Sequence, residues 1–88
     1  MRQLTERDIQ NITGSTVAGY VVEAARVKNG PYCDSDHYGF LLARNACGHY
    51  VTWQFHLLDD DSVTAYWGHY FQEDRAAAVR DFDTRGIN

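Results

Sequence analysis

Cys33, His37, Cys47 and His49 form a C-x3-H … C-x-H series, and thiolate and imidazole are the ligands a tetrahedral zinc ion takes. The spacing departs from the paired C-x2-C arrangement of structural zinc sites. The strand register implied by the hydrophobic pattern places His49 and His69 on one sheet face, near one end, with Cys47 in the turn there. Cys47, His49 and His69 are therefore the candidate metal ligands. The alternative is a pair of sheet-edge histidines bonded to backbone or water.

A nucleophilic cysteine needs a neighbouring base and an electropositive setting. Cys33 stands beside Asp34 and Asp36, which disfavour the thiolate. Cys47 has His49 two residues away, with no oxyanion-hole signature alongside. The carboxylates of Asp34 and Asp36, and of Asp59, Asp60 and Asp61, lack the ligand spacing of a calcium loop. An acidic hairpin tip of this kind is ordinarily solvated. The seven glycines are isolated, as turn, bulge or cap glycines are, and none forms a phosphate-binding loop. No catalytic residue is assigned, no enzyme is expected, and no motif requires a cofactor.

The elements that position these residues follow from the hydrophobic pattern. Eighty-eight residues make one domain. Nine of its twelve aromatics lie between Tyr38 and Phe71, and large aromatic areas locate the core there. Residues 38–44, 49–57 and 63–71 read as three strands of an antiparallel meander. The middle strand alternates, with Val51, Trp53, Phe55 and Leu57 on one face and Thr52, Gln54 and His56 on the other. A turn centred on Ala46-Cys47 sets Leu42 opposite Val51, Phe40 opposite Trp53 and Tyr38 opposite Phe55. A loop at Asp59–Asp61 sets Trp67 opposite Trp53, Ala65 opposite Phe55 and Val63 opposite Leu57. Both tryptophans then share the interior face, and Gly68 leaves room for a large neighbour.

Residues 16–28 fit a helical stripe through Val17, Tyr20, Val21 and Ala24, but β-branched density and Gly19 favour a fourth strand. Thr5 and Asp8 form a capping-box-like pair at the start of a short N-terminal helix, with Leu4 and Ile9 as its staple and Gly14 as its stop. A C-terminal helix runs from about Glu73 to Arg85 and stops at Gly86. The fold class is α+β, an antiparallel sheet with a helix at each end of the chain.

Composition narrows the partners. The net charge is −4, and the scattered bases make no nucleic-acid-binding patch. There is no apolar run of membrane-spanning length, and residues 1–6 have no apolar stretch of a secretory signal. Two cysteines are too few for a disulfide scaffold, and a cytoplasmic location is expected. On the second sheet face Tyr50, Tyr66 and Tyr70 join Thr52, Gln54, His56 and Thr64. Left uncovered, that face is a tyrosine-rich contact surface; a helix laid over it would make the tyrosines the fringe of a core.

The run Tyr38-Gly39-Phe40-Leu41-Leu42-Ala43-Arg44-Asn45, with Tyr50-Val51-Thr52-Trp53-Gln54-Phe55 and Tyr66-Trp67-Gly68-His69-Tyr70-Phe71, resembles small uncharacterised accessory proteins carried on mobile elements of gut bacteria. Their shared pattern precedes a terminal acidic-basic helix, and the resemblance covers residues 33–85. Such proteins travel with antirestriction or anti-CRISPR genes. The resemblance implies a counter-defence role and transfers no catalytic residue. The leading expectation is a protein-binding module that occludes a basic surface of a host defence complex with Asp34, Asp36, Asp59–Asp61 and exposed tyrosines. A metal-binding or Cys/His-dependent domain is the second, and a structural homodimer joined through an open edge or the second sheet face is the third.

Overall fold

The computed structural model describes residues 3–28 and 37–86. In chain order the elements are α1 (Glu6–Ile12), β1 (Thr16–Val17), β2 (Tyr20–Val27), β3 (Gly39–Arg44), β4 (Tyr50–Leu57), β5 (Val63–Gln72) and α2 (Arg75–Thr84). The strands form one antiparallel sheet in sequence order, β1-β2-β3-β4-β5. The α+β architecture stands as expected, with five strands rather than four.

The extra strand arises because the segment 16–28 folds back on itself. Ala18 and Gly19 both have positive φ, 51° and 85°, the backbone of a two-residue hairpin turn whose twist suits the flanking strands. β1 and β2 pair through it, Val17 against Tyr20. The capping box of α1 forms as anticipated, with Asp8 N–H donating to Thr5 Oγ1 and Thr5 N–H to Asp8 Oδ2. Gly14 and Gly86, both in the left-handed region, follow the two helices. α2 begins two residues later than expected, because Asp74 is its N-cap and accepts from Ala77 N–H at 3.0 Å.

The register of β3 on β4 differs by one residue from the expected one. Gly39 faces Phe55, Leu41 faces Trp53 and Ala43 faces Val51; the anticipated pairs Leu42–Val51, Phe40–Trp53 and Tyr38–Phe55 do not form. The turn is a three-residue loop, Ala46–Gly48, closed by Asn45 N–H to His49 O at 3.0 Å. Gly48 takes φ 80°, as the last residue of such a loop requires. The Asn45 side chain fixes it by accepting from both Cys47 N–H and His49 N–H.

This shift makes two cores. On one face Leu41, Ala43, Val51, Trp53, Phe55 and Leu57 pack with Val22, Val27, Leu4 and Ile12. On the other, Phe40 and Leu42 pack against Ala78 and Phe82 of α2. The second face is thus covered by a helix, and Tyr50 fringes that core. Gly39 is needed for strand contact: a Cβ there would lie 2.1 Å from the Arg26 carbonyl oxygen.

A candidate protein-binding edge

β4 has eight residues and β5 has ten, and the surplus is absorbed in bulges. Thr52 faces His69 and Gln54 faces Tyr66, so Trp67 and Gly68 together oppose Trp53. A second irregularity inserts Phe71, since Val51 faces Tyr70 and Tyr50 faces Gln72. The pairs Phe55–Ala65 and Leu57–Val63 form as expected, but the Trp53–Trp67 pair does not. Trp53 is buried and meets the Tyr20 ring edge-on at 5.2 Å, whereas Trp67 is 70% exposed.

The bulge explains the difference. Trp67 itself adopts φ 54°, the left-handed conformation that a side chain disfavours and glycine normally fills. Gly68 serves another end: a Cβ there would stand 2.7 Å from Trp53 Nε1 and 2.8 Å from the Tyr70 ring. The glycine makes room for a large neighbour, as the sequence suggested, and the neighbours are Trp53 and Tyr70. An exposed indole on a disfavoured backbone is the kind of feature that concentrates at functional sites.

Contacts from α2 and β4 hold this bulge. The Arg85 guanidinium donates to the Thr52 carbonyl at 3.0 Å and to the Trp67 carbonyl. Asp81 Oδ2 accepts from the Thr52 hydroxyl at 2.5 Å and lies 2.9 Å from His69 Nδ1. The carboxylate sits between hydroxyl and imidazole, so His69 is not placed to take the hydroxyl proton. The trio fastens helix to sheet. Arg26 completes the tie by donating to the Phe82 and Arg85 carbonyls at the end of α2, with its guanidinium 4.8 Å from the Phe40 ring centroid. Burial lowers both arginine pKa values, opposed by Asp83 for Arg26 and by Asp81 for Arg85.

Beside the indole, the Tyr66 ring packs edge-on at 5.0 Å. Its hydroxyl accepts from Gln54 Nε2 at 3.2 Å and lies 3.3 Å from His56 Nδ1. Tyr70 is 65% exposed and paired with Val51, so it stands on the face of Trp53 rather than with Tyr50 and Tyr66. β5 is the last strand in the sheet order, and its outer edge is paired with no described strand. Edge strands template pairing with another chain unless charge, proline or bulges blunt them. Between Val63 and Gln72 there is no Asp, Glu, Lys, Arg or Pro; the bulges blunt the edge from Trp67 onward and leave Val63–Tyr66 as its regular stretch.

The acidic loop Asp59–Asp61 abuts the start of β5 and is exposed. Asp60 organises it, accepting from the Ser62 hydroxyl at 2.6 Å and amide at 3.0 Å, and these bonds lower its carboxyl pKa. Asp34, Asp36 and Cys33 lie outside the described residues. Cys47 is a free, exposed thiol. His49 and His69 are separated in role, since His69 is engaged by Asp81. Among the described residues no three His, Cys, Asp or Glu side chains gather as a metal site, and no helix is long and apolar enough to cross a membrane. Alternation counts Trp67 inward, and the two strands read from the sequence, 49–57 and 63–71, are equal in length, so the surplus of β5 over β4 that turns it outward emerges only in the structure. Comparison of the chain with protein-family models, curated proteins and solved structures gives no match.

Proposed function

We propose that this chain is a protein-binding domain that docks through the outer edge of β5. The observation that carries the reading is Trp67, 70% exposed on a left-handed backbone that Arg85 holds through the Trp67 carbonyl. An exposed indole on a rigid support offers large contact area at small entropic cost, which is why tryptophan and tyrosine dominate binding hot spots. Tyr70 and the Asp59–Asp61 tip extend the surface and add negative potential suited to a basic partner. On this reading the domain acts by occupying a surface, and no residue is assigned a catalytic role.

The narrower reading is inhibition of a host defence complex by occlusion. Its support is the resemblance of residues 33–85 to mobile-element accessory proteins, together with the acidic tip beside the aromatic edge. Affinity capture from a bacterial host lysate tests both levels. Wild-type protein is expected to retain a specific partner that Trp67→Gly loses and that replacement of Asp59–Asp61 by Ser weakens. Recovery of the same proteins by all three would overturn the docking edge. A captured partner unrelated to defence would overturn the narrower reading alone.

A further inference from the structure

The partner class follows from how charge is laid out along β5. The strand carries no Asp, Glu, Lys or Arg over its ten residues, Val63–Gln72, and its one histidine, His69, is held by Asp81. Asp59, Asp60 and Asp61 precede it, and Glu73 and Asp74 follow it. All five acids are exposed. The outer edge thus carries no formal charge, with a regular hydrogen-bonding stretch at Val63–Tyr66, bulges beyond it and exposed acids at each end.

We propose that this edge accepts an extended peptide segment of a partner protein as a sixth strand, with basic residues at both ends of that segment and a neutral, β-branched or aromatic middle. The proposal rests on the docking edge argued above and names its ligand. Backbone hydrogen bonding supplies affinity in strand addition, and flanking side chains supply selection. Lys or Arg at the two ends meets the two acidic patches, while Trp67 and Tyr70 cover the middle.

A second copy fits less well. Full antiparallel pairing of β5 with itself, Val63 against Gln72, sets Asp61 against Asp74 at both ends, and like charges facing across strands destabilise the pair. Nucleic acid is disfavoured by the same acids. Charge complementarity therefore selects a basic-ended strand over a homodimer.

The test is selection of a random peptide library, displayed on phage and slightly longer than the ten residues of β5, on immobilised full-length protein and in parallel on Trp67→Gly. Enriched sequences are expected to carry Lys or Arg toward both ends and to exclude proline from the middle. A synthetic peptide of the enriched sequence should perturb the amides of 63–72 by NMR, bind roughly tenfold or more weakly to Trp67→Gly, and weaken as salt rises. The proposal is overturned by failure to enrich, by enrichment of acidic or proline-rich peptides, by perturbations centred away from β5, or by a dimer in light scattering that Trp67→Gly abolishes. Lysate capture separates this failure from failure of the docking edge: a partner lost on Trp67→Gly, with no basic-ended peptide selected, leaves the edge standing and removes only strand addition.

Discussion

The guanidinium of Arg85 donates to the carbonyl oxygen of Trp67, joining the residue that ends α2 to the bulge on the sheet edge. The same group reaches the Thr52 carbonyl at 3.0 Å. A bulge interrupts the regular ladder, and here a helix-borne cation supplies donors to two carbonyls beside it. The exposed indole is therefore supported from the opposite layer of the fold.

Arg85→Ala is expected to lower stability by about 1–3 kcal/mol, the range for removing charge-assisted hydrogen bonds and leaving a buried acceptor unpaired. Arg85→Lys should recover less than half of that, because an ammonium lacks the planar fork. Urea denaturation with matched slopes checks both. Equal stability of the alanine variant and wild type would remove Arg85 as the support of the bulge.

Trp67 inverts the usual order of small residues. Alanine normally outperforms glycine in regular structure, but at φ 54° a Cβ is penalised. Trp67→Gly should therefore unfold at higher urea than Trp67→Ala, by about 1 kcal/mol. Trp67→Ala proving the more stable would mean that the left-handed backbone is absent in solution.

Two glycines separate hard from soft crowding. A Cβ on Gly39 meets backbone, 2.1 Å from Arg26 O and 3.1 Å from Val27 Cα, so Gly39→Ala should cost about 3 kcal/mol or more. On Gly68 it meets two side chains, one of them the exposed Tyr70, and Gly68→Ala should cost about 1–2 kcal/mol. Thermal melts of the two variants rank them; the reverse order would contradict the β2–β3 packing.

Asp60 gives the hairpin tip a pH dependence of defined sign. The Ser62 hydroxyl and amide lower its pKa below the ordinary 3.8. A carboxyl depressed in the folded state stabilises above its unfolded pKa and loses that contribution as pH falls through the folded value. The tip should hold at neutral pH and loosen only in acid below 3.8. An NMR titration of the Asp60 carboxyl is expected to show a midpoint under 3.8, and Asp60→Asn should abolish the step. A midpoint above the ordinary value would rule out the Ser62 bonds.

The chain's local chemistry determined a good deal by itself. Thr5 with Asp8 and Gly14 bound α1, Gly86 stops α2, and the alternation Val51-Trp53-Phe55-Leu57 fixes the faces of β4. Each of these rests on contacts within a few residues or on one strand's own periodicity. β3 could not be registered this way, because Phe40, Leu41, Leu42 and Ala43 are all buried. A central strand covered on both faces is apolar at every position, so a one-residue slip leaves its hydrophobic pattern unchanged. The Gly48 loop and the arrival of α2 on Phe40 and Leu42 decided it. Tertiary structure alone also turned Trp67 outward. Ten residues had to lie beside eight, a bulge took up the difference, and Arg85, distant in sequence, supplied the hydrogen bonds that hold it.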